Sequence, residues 1–438
     1  MVDLTIVSVT FVAVYLLQTI LCVWLEAINI RHLVRNADKI PDSLKSVIDP
    51  GKLSRMNAYT ADKSRLFLMR KVVFDALLLA LIVSGFLWRI DYGPVLWESS
   101  LVLGGIIFFL MVGAGFFILD LPFDYYHTFA IEEKYGFNRS DLQTWVLDHA
   151  KGLVLSAIIL VALSAPVLWV IQISPNYWWF WAFIIVSCAQ LTILVLYPVA
   201  IAPIFNKFNP LEDEVLAVKT VNLLNRAGLK AGGVFQMDAG RRSAHSNAFF
   251  TGIGRTKRIV LFDTLLASHT HDEILAVLAH EIGHLKLGHV VRSYVYGQVV
   301  LLAGFYLTHT VMNWNLPYMT FGFSASQPYV ALFLLGVFWQ RLGYLVAPVY
   351  LAVSRHFERR ADEFAADLLR NPEPLSEALK RMASDNLPNL NPHPLYVCFN
   401  YSHPPIPERL SLLGKWTAAD TPAEVCGPEA PPVGKGGE

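Results

Sequence analysis

The stretch whose residue types and spacing point most directly to chemistry is His280-Glu281-Ile282-Gly283-His284. Residues four apart on a helix share a face, one turn apart, so His280 and His284 can aim imidazole nitrogens at one metal ion. Glu281 sits about 100° round the same helix, close enough to hold a water at an open coordination position. Zinc at such a site lowers the pKa of that water toward about 7, and the glutamate takes its proton as it attacks a peptide carbonyl. Two histidines on a solvated helix would show the same spacing, so the reading needs a third ligand.

The metzincin spacing would place Gly at 287 and His at 290, where the chain has Leu287 and Val290. His289 lies about 140° round from His284 on a continuous helix and does not reach the same ion. An acidic ligand is the better candidate. In Ser354-Arg355-His356-Phe357-Glu358-Arg359-Arg360-Ala361-Asp362, Glu358 and Asp362 share a helix face. One could ligate while the other orients a ligand histidine. Spacing alone keeps Glu358, Asp362, Glu363 and Asp367 all in contention, and a salt-bridged surface helix would carry the same acids.

The elements that must position these groups are set by an apolar chain. Of 438 residues, 54% are hydrophobic and only 16% charged, with mean hydropathy +0.44. Soluble domains carry about 25% charge. The 35 basic and 35 acidic residues balance. That excludes a disordered chain and lends nothing to nucleic-acid binding, which calls for a basic excess. The four cysteines, at 22, 188, 398 and 426, form no CxxC pair, which argues against a disulfide framework or a cysteine-zinc site.

Apolar runs of spanning length (about 20 helical residues) predict seven membrane spans. They are Leu4 to Trp24, Val72 to Trp88, Leu101 to Leu119, Leu153 to Ile173, Trp178 to Tyr197, Ser293 to Met312 and Val330 to Val353. The first lacks the basic n-region and cleavage site of a signal peptide and reads as a retained helix. With the N-terminus outside, 33 of the 35 basic residues fall on the inner side. An even-odd error in the span count would scramble that partition. The C-terminus and both large polar segments are thus expected to face the cytoplasm.

The expected organisation is 1–206 for spans one to five with their cytoplasmic loops, 207–292 for a first polar segment, and 293–353 for spans six and seven. A second polar segment follows at 354–420, then a Pro/Gly-rich tail at 421–438 that reads as disordered. In the first polar segment a helix is predicted over Glu212 to Ala227. Strands are predicted over Val234 to Met237, Ser246 to Thr251 (closing on Gly252-Ile253-Gly254) and Arg258 to Phe262. A second helix runs from near Thr270 through His289 toward span six. Another continues out of span seven from Ser354 to Arg370, stopped by Asn371-Pro372.

Several segments together carry a resemblance. They are the 280–289 stretch His-Glu-Ile-Gly-His-Leu-Lys-Leu-Gly-His, Glu358 to Asp362, and Tyr401-Ser402-His403-Pro404-Pro405-Ile406-Pro407-Glu408-Arg409-Leu410. Ile131-Glu132-Glu133-Lys134-Tyr135-Gly136-Phe137-Asn138, Ser246-Asn247-Ala248-Phe249 and Arg258 to Leu266 add to them. In this order they resemble the type I CAAX prenyl proteases, integral-membrane gluzincins related to bacterial heat-shock membrane metalloproteases. The resemblance implies a mainly α fold: seven transmembrane helices enclosing an intramembrane chamber, with a zincin-like cytoplasmic α+β metalloprotease domain split in sequence. It implies one zinc ion held by His280, His284 and Glu358, with Glu281 as general base. Asp362 matches an acidic residue that supports the metal ligands or serves as a catalytic proton donor, and His403 and Arg409 match polar groups near the substrate carbonyl and the active-site acids. Asn247, Ala248 and Phe249 match an edge strand that pairs with extended substrate.

Asp75, Gln190, His309, Gln340 and Arg341 fall in or near the spans, where lipid exposure would cost several kcal/mol. A chamber would account for all five, so they are expected to line it; helix–helix hydrogen bonding is the competing explanation. The expected activity is zinc endopeptidase action on a peptide or protein substrate, prenylated or membrane-associated, by a monomer in the bilayer with no nucleic-acid partner. The competing classes are a transporter or channel with a protease-like domain, for which no duplicated half or paired broken helix is seen, and a non-catalytic zinc scaffold. The closing Gly-Lys-Gly-Gly-Glu carries no dilysine or KDEL-like signal, which tips the expected location toward a bacterial inner membrane over the endoplasmic reticulum.

Overall fold

Long apolar runs become long helices because a helix satisfies its backbone internally where no water can. In a computed structural model of the chain, residues 5–87, 100–229, 233–251, 258–314, 321 and 327–416 are described. Helix α1 (Ile6–Arg35) starts from a reciprocal cap between Thr5 and Ser8, and α2 (Pro50–Val83) from Asp49, with Pro50 in its first turn. The helices α3 (Leu101–Tyr126), α4 (Leu142–Ile173) and α5 (Trp178–Leu196) follow.

The cytoplasmic-type part then opens with strand β1 (Phe208–Pro210) and helix α6 (Glu214–Arg226), capped by Asp213. Strands β2 (Val234–Met237), β3 (Ala248–Thr251) and β4 (Arg258–Phe262) precede α7 (His271–Lys286). The chain returns to membrane length with α8 (His289–Met312) and α9 (Pro328–Leu369), and closes with α10 (Glu373–Asn386) and α11 (Ile406–Leu413). The predicted tail at 421–438, Gly252-Ile253-Gly254 and the end of the second span at Trp88 lie outside the described residues.

Six helices among the described residues are long and apolar enough to cross a membrane: α1, α3, α4, α5, α8 and α9, with α3 and α5 extended through short π-helical turns. The second expected span is the apolar half of α2. Arg70, Lys71 and Asp75 keep that helix from qualifying on composition alone. The most apolar window of α8 buries none of its residues and that of α5 few. The two nonetheless pack side by side, through the Ser187–Gln298 hydrogen bond and the Trp178–Phe305 ring contact. The spans converge on an apolar cluster that includes Phe11, Tyr15, Phe108, Leu168, Tyr329 and Leu334.

The four strands are ordered β1-β2-β4-β3, with β2 and β4 parallel and both outer pairs antiparallel. Sequence reading missed β1, which is three residues long and ends in Pro210. An edge strand is where a residue without an N–H is tolerated. Beneath the sheet, Ile259, Leu261, Leu265, Ile274, Leu278 and Ile282 share a core with Leu44, Leu53 and Met56 from the α1–α2 region and with Ile131 and Phe137.

Two expectations fail here. The helix predicted to run unbroken through His289 stops at Lys286, and Gly288 adopts φ +70° before α8 begins at His289. That left-handed backbone is cheap only for glycine. Asp75 and Arg341 are also not chamber lining. Asp75 and Arg341, both 6% exposed, face each other, the guanidinium Nη2 donating to Asp75 Oδ1 at 2.8 Å. Lys71 and Thr19 also donate to Asp75, and Arg341 donates to Gln18 and Tyr15. A buried charge is tolerable in such a place when paired and hydrogen-bonded. Gln190 accepts from Gln298, and His309 lies 3.4 Å from Asn313 Nδ2. Gln340 is exposed.

Candidate metal centre and active site

Helix α7 begins with a capping box. The Thr270 hydroxyl accepts the Glu273 N–H at 3.3 Å, and the Glu273 carboxylate accepts the Thr270 N–H at 2.8 Å. Arg381 of α10 donates twice to the same carboxylate, tying the helix start to its neighbour. Ile274, Leu278, Ala279 and Ile282 anchor one side in the core, leaving His280, Glu281 and His284 toward α9. At Gly283 a Cβ would stand 3.2 Å from both the Cα and the carbonyl oxygen of Ala361. The missing side chain is what lets α7 and α9 approach so closely.

That approach sets Glu358 against both histidines. His280 Nε2 and His284 Nε2 stand 3.2 Å apart, and each lies 3.3 Å from a Glu358 carboxylate oxygen. Tetrahedral zinc, with bonds of roughly 2.0–2.2 Å, has ligand–ligand edges of about 3.3–3.5 Å. The separations match such edges, with His280 facing Glu358 Oε2 and His284 facing Oε1, and these three residues form the one three-residue group among the described residues able to hold a metal. Glu358 Oε2 is buried without a hydrogen-bond partner, a cost that a coordinated cation would remove.

The electrostatics agree. Burial disfavours a charged His280, but Asp362 and Glu358 outweigh it and push its pKa up to about 9. Burial likewise opposes a charged Glu358, yet the two histidines hold its carboxyl well below the usual range. Without metal the His280 imidazole thus retains a proton that an ion would displace. Asp362, 3% exposed, accepts at 2.7 Å from His280 Nδ1, and Arg409 donates to both its oxygens at 2.8 and 2.6 Å. That arrangement fixes the His280 ring with Nε2 toward the metal position. Glu281 is half-buried beside them, and burial raises its carboxyl pKa.

The 401–410 segment closes the cluster. Arg355 donates to the carbonyls of Val397 and Tyr401, at 3.1 and 2.8 Å, and Arg359 pairs with Glu408. His403 is exposed, with Nε2 3.4 Å from Glu358 Oε1. Its Nδ1 stands 2.8 Å from the Ser402 hydroxyl. A hydroxyl donating there leaves the ring proton on Nε2, aimed into the site.

His280, Glu281, His284, Glu358, Asp362, His403 and Arg409 therefore meet at one place. The other two acids do not: Glu363 faces Arg360 on the exposed side, and Asp367 accepts from Trp416. Asn247, Ala248 and Phe249 fall at the start of the terminal strand β3, which rests on α7. Asn247 precedes the strand, its side chain accepting the Ala248 N–H; Ala248 and Phe249 pair with Leu261 and Val260.

Sequence reasoning gave no role to the residues that steady these parts. His289 returns beside His284 through the Gly288 break, and Arg355 holds the His403 segment. Glu132, in a π-helical turn, accepts from the Tyr59 hydroxyl at 2.6 Å and lies 3.2 Å from His245 Nε2. Asn386 accepts the Ser246 N–H. These contacts dock the approach to β3, which gives the Ile131–Asn138 segment a structural reason. A buried glutamate beside aromatic residues was the available signal.

Comparison with known proteins agrees with this geometry. Residues 29–207 match the family model for the CAAX prenyl protease N-terminal part with five membrane helices, and residues 210–417 match that of peptidase family M48. A CAAX prenyl protease 1 homolog from rice is 34% identical over 87% of this chain and 92% of its own length. CAAX prenyl protease 1 of Saccharomyces cerevisiae is 32% identical over 86% and 88%. The crystal structure of Ste24p from S. mikatae superposes with a TM-score of 0.85 at 29% identity, covering 92% of this chain and 97% of that one. The fold is consistent with the chambered arrangement of that structure, and neither a transporter nor a scaffold is favoured. These relatives are eukaryotic, so the expected preference for a bacterial inner membrane finds no support. The chain belongs to peptidase family M48 and is a multi-pass membrane zinc metalloprotease of the CAAX prenyl protease kind.

Proposed function

We propose that one zinc ion per chain is held by His280, His284 and Glu358, and that the substrate is an extended, C-terminally prenylated peptide. The observation that carries the first part is the convergence of the two Nε2 atoms and the Glu358 carboxylate at 3.2–3.3 Å, with Oε2 of that carboxylate lacking a hydrogen-bond partner. When bound, zinc supplies the Lewis acidity that polarises the scissile carbonyl and lowers the pKa of the attacking water. Glu281 accepts the proton of that water and returns it to the departing amine, a task suited to a carboxyl whose pKa burial has raised. His403 donates from Nε2 to the oxygen on which charge develops. Asp362 and Arg409 keep His280 oriented. The substrate lies along the free edge of β3 at Asn247, Ala248 and Phe249, where main-chain bonds give affinity with little side-chain selectivity.

The relatives named as CAAX prenyl proteases support a prenylated substrate and an endoplasmic-reticulum-type membrane. All the residues of the site come from one chain, so a monomer suffices, with the protease part on the cytoplasmic side. The test is incubation of the purified protein with matched prenylated and unprenylated peptides, with cut sites mapped by mass spectrometry. Cleavage after the prenylated cysteine, faster than in the unprenylated peptide, is expected. Equal rates on both would overturn the prenyl preference.

A further inference from the structure

We infer that His289 is a positioning residue that orients His284 for metal binding, the counterpart of Asp362 on His280. This rests on the proposed ligand set and goes beyond it. His284 Nε2 points at Glu358, so its other nitrogen, Nδ1, carries the ring proton when Nε2 coordinates. His289 Nδ1 stands 3.2 Å from that atom and is placed to accept the proton in a hydrogen bond.

His289 is itself held firmly. It is 3% exposed, and its ring stacks on Phe357 with centroids 4.3 Å apart and planes 7° from parallel. Phe357 directly precedes Glu358, so one stacked ring links the orientation of a histidine ligand on α7 to the backbone that carries the glutamate ligand on α9. The positive φ of Gly288 makes this possible. A helix continuing through 288 would carry His289 about 140° away from His284. The two histidine ligands then differ in their outer partners. A carboxylate braced by Arg409 holds His280, and an imidazole braced by an aromatic ring holds His284. Outer partners of this kind set ring orientation and the proton position of metal ligands.

The test compares His289→Phe, which keeps a flat ring against Phe357 but removes the acceptor, with His289→Asn, which restores an acceptor near the Nδ1 position. Zinc affinity of the full-length purified protein is read by chelator competition, with His284→Ala as reference and thermal unfolding as the check on folding. His289→Leu replaces the Phe variant if that one fails to fold. Zinc affinity should fall about 10–100-fold in His289→Phe and be largely recovered in His289→Asn. Wild-type affinity in the Phe or Leu form, or equal weakening in the Asn form, overturns the inference. Retention of zinc by His284→Ala would instead overturn the ligand set on which it rests.

Discussion

The buried ionisable cluster between membrane helices and the one at Glu358 in the protease part differ in the kind of partner they present. Asp75 is answered from three sides by Arg341, Lys71 and Thr19, while Gln18 and Tyr15 take further donors of Arg341. There one carboxylate answers two cations, and the buried atom left without a partner is a donor, Arg341 Nε. At Glu358 the unmatched atom is an acceptor. Two imidazole nitrogens and a carboxylate converge within 3.3 Å, and one carboxylate oxygen has no hydrogen-bond partner. Burial of charge alone does not mark a functional site. Convergence of lone-pair atoms that want a cation does, and the ion-paired Asp75–Arg341 cluster reads as a helix latch.

The largest effect expected from breaking this contrast is at the unsatisfied cluster. Glu358→Gln should strip zinc under mild chelation and lower hydrolysis on the order of a thousandfold or more. Metal content and initial rates measure both. The latch should behave in the opposite way. Asp75→Ala leaves Arg341 buried and uncompensated, at a cost of about 3–5 kcal/mol, while the folded fraction keeps its zinc. Replacing the pair together, Asp75→Leu with Arg341→Met, should recover most of that stability. Unfolding followed in detergent checks the pair, and loss of zinc from the folded Asp75→Ala protein would erase the distinction.

Smaller effects sharpen the boundary of the metal site. Asp362→Asn leaves the His280 ring without its carboxylate and should lower zinc affinity or activity about 10–100-fold. Arg409→Lys, which gives up the two-pronged hold on Asp362, should do so less. Gly283→Ala places a methyl group against the Ala361 backbone and should cost about 1–2 kcal/mol. Chelator competition and thermal unfolding read both effects.

What was legible in the sequence follows from whether a signal was local. His280, Glu281 and His284 were readable because helix periodicity alone places them together. Glu358 could not be separated from Asp362, Glu363 and Asp367 by spacing. The choice depends on how α9 is rotated against α7, which Gly283 and Ala361 set through packing. His289 was set aside for a sound reason on a continuous helix. One glycine in a left-handed conformation reversed the outcome. The spans were legible from composition, although Asp75 made the second one marginal. Its pairing with Arg341, 266 residues away in the chain, was not legible, although helix–helix hydrogen bonding stood as the competing explanation.

The most direct test of the zinc-hydrolase mechanism is the Glu281→Gln protein, assayed in parallel for zinc content and peptide cleavage. The amide keeps the size of the side chain and leaves His280, His284 and Glu358 untouched, but it cannot accept a proton from water. One zinc per chain with cleavage abolished is the expected result. Unimpaired cleavage by that protein would contradict the mechanism.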